Sequence, residues 1–196
     1  MSTVKSKNLQ VGTDATASNN FTIYQPSTPD GTLRIGVGNA DSPTEVGRFT
    51  SVGYKPATAP AFSAYNAGQQ PISASTDTKV AFNYEEFDTN SNYDHTTNFR
   101  FTPTVAGYYQ FNTNVYHGGA AYSYITLVFY KNGSALLEVD RISYTGQAET
   151  KGSGLIYLNG STDYVEVYAR SQGAAITLGA NDKRFMNFSG FLAQQA

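Results

Sequence analysis

The 196-residue chain has no cysteine, which excludes disulfides, zinc–thiolate sites and a cysteine nucleophile. It has no tryptophan and only two histidines, His95 and His117. Neither has a companion at metal-ligand spacing, so both are expected to be ordinary surface or interface residues. Charge is scarce: 14% of residues are Asp, Glu, Lys or Arg, against roughly 25% in an average domain. A formal net charge of -2 offers nothing that would attract nucleic acid or an anionic membrane. No apolar run approaches the roughly 18 residues that span a bilayer. The opening MSTVKSKNLQ is polar and lacks a signal-peptide core, so assembly in a cytoplasm is expected. Catalytic signatures are missing as well. There is no Gly-x-Ser-x-Gly elbow, and GVGNADSP has neither the Lys-Ser/Thr ending nor the helix of a phosphate loop. No enzyme activity, cofactor or metal is expected.

What is present points to an all-β protein. Tyr (15), Phe (12) and Gly (18) are abundant, and aromatics favour strands while glycines punctuate turns. From Ala61 onward, about ten strand-length runs follow one another, among them AFSAY, GYYQFNTNVYH, YSYITLVFYKNG, SGLIYLNG and YVEVYAR. Asn132-Gly133 and Asn159-Gly160 read as tight hairpin turns. No segment keeps helical periodicity over ten residues. The connector around KPATAP separates residues 1–58 from residues 59–196. Residues 1–58 hold short strand-like pieces divided by Pro-Asp-Gly and Asp-Ser-Pro turns. Their apolar side chains are few: Phe21, Ile23, Leu33, Ile35, Val37 and Phe49. So small a set stabilises little unaided, and this segment is the expected attachment device.

Two strands carry large side chains on both faces. Successive residues of a strand point to opposite sides, so Tyr109 and Phe111 share one face while Tyr108 and Tyr116 share the other. In the next strand Ile125, Leu127 and Phe129 alternate with Tyr122, Tyr124, Val128 and Tyr130. A sandwich buries one face of each strand. The outward set Tyr108, Tyr116, Tyr122, Tyr124, Val128 and Tyr130 is therefore the expected interface with sister chains, or a stack for sugar rings. The expected core is Phe62, Phe82, Phe101, Tyr109, Phe111, Ile125, Leu127, Phe129, Val165, Phe188 and Phe191. The acidic run Glu85, Glu86, Asp88 and Asp94 has the oxygen ligands a calcium site needs, but reads better as a solvated loop.

Phe82, Asp88 and Tyr93, followed by Phe101, Gly107, Tyr109 and Phe111, resemble the central signature of the complement C1q and tumour-necrosis-factor-like globular head. PAFSAY, LVFYKNG, SGLIYLNGSTDYVEVY and FSGFL resemble its opening strand, central hairpin, late hairpin and closing strand, so that the likeness spans nearly all of residues 59–196. Two departures stand out. The interval from Tyr93 to Phe101 is one residue longer than usual, read as a loop insertion or bulge, and Thr113 replaces a usual aromatic. The resemblance implies a ten-stranded jelly-roll β-sandwich that forms a homotrimer and binds rather than catalyses. Such heads also occur on trimeric bacteriophage virion proteins, and DGTLRIGVGNA resembles segments that precede them. The resulting expectation is a capsid decoration protein on the virion surface, held to the major capsid protein by residues 1–58. A tail-fibre tip recognising host surface polysaccharide, and a free bacterial binding module, are the alternatives.

Overall fold

The chain divides into two units, Met1–Ala59 and Pro60–Ala196. The computed structural model describes residues 7–57, 59–119, 123–143, 146–179 and 182–196. Among them there is no α-helix, and no helix is long and apolar enough to cross a membrane.

The first unit is a five-stranded antiparallel meander: β1 (Asn8–Val11), β2 (Phe21–Tyr24), β3 (Leu33–Val37), β4 (Thr44–Thr50) and β5 (Gly53–Pro56), each paired with the next. Register places Leu9, Ile23 and Ile35 in one row and Val11, Phe21 and Val37 in the next. Leu33, Phe49 and Tyr54 form a third. Because rows alternate faces together, all of these side chains share one side of the sheet. The other side is polar and internally bonded. Arg34 pairs with Asp30 at 2.6 Å and Glu45 at 3.2 Å, and Arg48 meets Glu45 at 2.6 Å. Thr22, fully buried, donates to the Gly38 carbonyl at 3.0 Å.

Among its described residues the second unit contains thirteen strand segments, β6 to β18, in two sheets. One sheet runs β10 (Tyr93–Asp94), β11 (Arg100–Phe101), β16 (Val165–Gln172), β13 (Tyr124–Lys131) and β14 (Ser134–Ile142), with β8 (Thr78–Lys79) beside β16. The other is centred on β12 (Ala106–Gly119), which β15 (Ala148–Asn159) pairs along nearly its whole length. Its opposite edge meets β18 (Met186–Gln195) and then β17 (Ile176–Leu178). Beyond these lie β6 (Ala61–Tyr65) with β9 (Tyr84–Asp88), and β7 (Gln70–Ile72). This is the jelly-roll sandwich that the aromatic signature implies.

An aromatic cluster fills the space between the sheets. Phe62 stacks on Tyr93 at 4.9 Å and on Phe101 at 4.6 Å, and meets Phe188 edge-on at 4.9 Å. Phe82, Tyr109, Phe111, Ile125, Leu127, Phe129 and Val165 are fully buried around it. Buried hydroxyls are bonded, as desolvated polar groups must be. Tyr109 donates to the Val105 carbonyl at 2.7 Å, and Tyr93 to that of Phe82 at 3.1 Å. Thr113 is buried where an aromatic is usual, and donates to the Asn187 carbonyl at 3.0 Å. On β15, Gly152 and Gly154 face Val139 and Leu137 of β14 so closely that any Cβ would collide with them. The edges of the two sheets therefore pack together there.

Three expectations need correction. Phe191 is 48% exposed, not core. It lies three residues from buried Phe188, and an odd separation in a strand means opposite faces. Asn159-Gly160 does not close a hairpin, because β15 and β16 belong to different sheets. Instead the Asn159 side chain accepts from the backbone amides of Ser161, Thr162 and Asp163, folding a crossover. Asn132-Gly133, with φ of 53° and 77°, does close the β13–β14 hairpin. Lastly, Glu85, Glu86 and Asp88 sit on β9, an edge strand rather than a loop, where charge discourages further strand pairing.

Replacing Phe62 with alanine should remove about 3–5 kcal/mol of stability. The measure is the denaturant midpoint. A loss below about 1 kcal/mol would show that the cluster is not continuous through Phe62.

Candidate functional site

Three surfaces carry side chains that a free chain would be expected to cover or use. The first is the outward face of β12 and its neighbours. Gln110 stands between Phe191 on β18 and Leu155 on β15. Tyr108 lies opposite Tyr157, their rings 5.4 Å apart. Tyr108, Leu155, Tyr157 and Phe191 are each more than 40% exposed. Leu136 and Leu137 of β14 extend this apolar ground around the sandwich edge, and with Leu155, Tyr157 and Lys131 they line a groove of about 390 Å³. Lys131 is held at the rim by Asp163 at 2.9 Å and by the Tyr157 carbonyl at 2.9 Å. Exposed apolar area of this continuity marks interfaces.

The second surface lies on the opposite sheet. Tyr124, Val128 and Tyr130 project outward from β13, with Arg141 and Glu138 of β14 on one side and Arg170 and Tyr168 of β16 on the other. They line a groove of about 340 Å³ that also includes Asp77. Tyr130 stacks on Tyr168 at 3.9 Å. Burial, then the hydrogen bond to Asp77, raises the Tyr130 hydroxyl above the ordinary phenol range. Glu138 and Arg141 neutralise each other through two 2.8 Å contacts, and Arg141 lies 4.6 Å above the Tyr124 ring.

The expected set of outward tyrosines is thus not one surface. Tyr108 and Tyr116 are on the β12 sheet, and Tyr124, Val128 and Tyr130 on the other. Tyr122 lies outside the described residues. Tyr116 packs partly against the core and on Phe185 at 5.5 Å. Leu155, Tyr157 and Phe191 were missed as surface residues, although the Gly-Leu-Ile-Tyr-Leu alternation of β15 holds the signal for the first two. The third surface is the apolar face of the five-stranded sheet. It bears Phe21, Ile23, Leu33, Ile35, Val37 and Phe49 together with Leu9, Val11 and Tyr54, and Phe21, Leu33 and Phe49 are each nearly half exposed.

A C1q domain model matches residues 61–193. The chain belongs to the C1q domain family. The fold of this C1q head is shared with solved structures of low sequence identity. The Eiger TNF of S. frugiperda is 13% identical with a TM-score of 0.54, over 70% of this chain and 93% of that one. The globular domain of zebrafish complement 1qA is 21% identical with a TM-score of 0.51, over 71% of this chain and 100% of that one. A weaker likeness, 15% identity and a TM-score of 0.47 over 68% of this chain and 95% of that one, is to the PRD1 vertex protein P5. No curated protein sequence matches the chain.

The acidic residues of the C1q head serve its loops. Asp88 accepts from the amides of Asn90 and Tyr93. Asp94 closes the β10–β11 turn, which absorbs the extra residue between Tyr93 and Phe101. It accepts from the amides of Thr96, Thr97 and Asn98 and from the Asn98 side chain. Burial alone would raise the Asp94 carboxyl, but these bonds outweigh it and hold the group well below the usual range. Glu86 accepts from the Ser63 hydroxyl, and Glu85 lies 3.4 Å from His95.

Contrary to the surface or interface placement expected of it, His117 points inward from β12 and is fully buried. Burial pushes its pKa down to about 4 against the opposing pull of Asp140. The unfolded chain takes up this proton near the ordinary imidazole value of 6.5, whereas the folded head refuses it until about 4. Stability from this group is therefore complete above about pH 6.5 and is lost as the pH falls toward 4. Denaturant midpoints measured from pH 7 to 4 should fall for the native chain and flatten in His117→Gln. Equal slopes would refute the assignment.

Proposed function

We propose that this protein is a homotrimeric structural and binding module of a virion surface, a decoration protein held to the capsid by its five-stranded sheet. The observation that carries the proposal is the pairing of a C1q head with two separate apolar surfaces, one on each unit. Two sister copies would cover the face bearing Tyr108, Leu155, Tyr157 and Phe191, as the trimeric habit of such heads implies. The face bearing Phe21, Ile23, Leu33, Ile35, Val37 and Phe49 is then free for the major capsid protein or another virion protein. Trimerisation multiplies a modest contact threefold, so a small footprint per chain suffices. The likeness of DGTLRIGVGNA to segments preceding phage heads favours the virion over a free bacterial module. Binding rather than catalysis is the habit of C1q and TNF-like domains, and nothing in the described grooves assembles a nucleophile with a base.

Light scattering should give the mass of three chains. The double variant Leu155→Glu, Phe191→Glu should fall to one chain with its circular dichroism unchanged, since each charge would be desolvated in the interface. A folded variant that stays trimeric removes this face from the interface. Ile23→Asp with Phe49→Asp should leave the trimer intact and abolish co-sedimentation with capsids. Retained co-sedimentation would refute the anchor. Copy number on purified particles tests the setting: hundreds of chains fit decoration, about a dozen fit a tail tip, and none refutes both.

A further inference from the structure

The groove over β13 contains one charged group whose chemistry is unspent. Of the charges on this face, Glu138 is bonded to Arg141, and Glu166, almost fully buried, is matched by Lys79 at 2.5 Å. Asp77 accepts from the Tyr130 hydroxyl. Arg170 has no carboxylate partner among the described residues. Its Nη2 donates to the Gln172 Oε1 over a long 3.3 Å, and its Nε is buried with no hydrogen-bond partner. A guanidinium presents five donors in a rigid fork suited to a carboxylate. The Nε is closed off from the groove, so a ligand there would be met by the two terminal nitrogens of the fork.

The surroundings narrow the anion. Thr126 is flanked by Arg170 and Arg141 in the strand register and forms the floor. Tyr124 and Tyr130 stand at either end of the same strand, amphipathic rings of the kind that contact sugar faces. Asp77 is exposed at the rim and accepts hydrogen bonds, so it favours a ligand with donors over a second anion. A phosphate dianion would meet Asp77 and Glu138 unfavourably. One carboxylate beside several hydroxyls satisfies both. The volume, about 340 Å³, lies at the lower end of small-ligand sites.

We propose that this groove binds an acidic sugar, a uronic or sialic acid unit of a surface polysaccharide, with Arg170 gripping the carboxylate in a bidentate manner and Asp77 accepting from a ring hydroxyl. The site rests on reading the head as a recognition module and is independent of the anchoring sheet.

The test is titration calorimetry and saturation-transfer NMR on the full chain with D-glucuronate and N-acetylneuraminate, against D-glucose and acetate. At least one acidic sugar should bind, with D-glucose and acetate at least tenfold weaker. Arg170→Gln should weaken the acidic sugar at least tenfold, and Arg170→Lys, which keeps the charge without the fork, by less. Asp77→Asn, remote from the core, should weaken it several-fold and guards against a misfolded Arg170 variant. Binding unchanged in Arg170→Gln, equal binding of D-glucose, equal binding of acetate, or no acidic sugar bound at millimolar concentration would each overturn the proposal. A chain that proves monomeric or fails to reach capsids, yet binds the acid sugar, refutes the proposed assembly and leaves this site standing.

Discussion

Strand β12 runs for fourteen residues with neighbours along both edges, so its backbone has no freedom to shift register, and every side chain is committed to one face or the other. Tyr109, Phe111, Thr113, Val115 and His117 go inward, where the aromatic cluster around Phe62 leaves no room for a rearranged neighbour. That constraint sets the rest of the head. It draws Phe188 and Gly190 of β18 against Phe111, and it turns Tyr108 and Gln110 outward beside Leu155 and Phe191. The outer surface is thus a by-product of the inner packing.

The two outer faces of the sandwich differ in kind. The β12 face is apolar at one end and small and polar in the middle, where Ser63, Ser189, Asn112 and Ser153 stand in one row. The β13 face is charged, with most of its charges already paired. Apolar area without charge favours close packing of like chains. Paired charges around one unspent arginine favour a small hydrophilic ligand.

Much of this architecture is visible in the residues alone. Alternation places Tyr109 and Phe111 inside and Tyr108 outside, and Asn132-Gly133 marks its hairpin. What escapes is non-local. Asn159-Gly160 has the same local chemistry as Asn132-Gly133, yet its flanking strands go to different sheets because β15 finds β12, more than thirty positions away in the chain. Likewise, two strands with identical alternation need not share a sheet, so Tyr108 and Tyr130 read alike in sequence and point away from opposite sides of the sandwich. The grouping of Arg170 with Asp77 and Tyr130 depends on two strands and a loop, and no short window contains it.

The five-stranded sheet has a further consequence. Its polar side is stitched by Arg34, Asp30, Glu45 and Arg48, with hydrogen bonds from Thr32 and Arg34 holding Asp30 near a pKa of about 2. Asn20, buried at the other end of the β2–β3 pair, ties Asp14 to Asn39. With one side so cross-linked, the strands surrender little conformational freedom when the other side is covered. The entropic toll of ordering, which weakens adhesion by limp segments, has been met in advance within the fold, and any partner of this face would meet apolar rows already aligned.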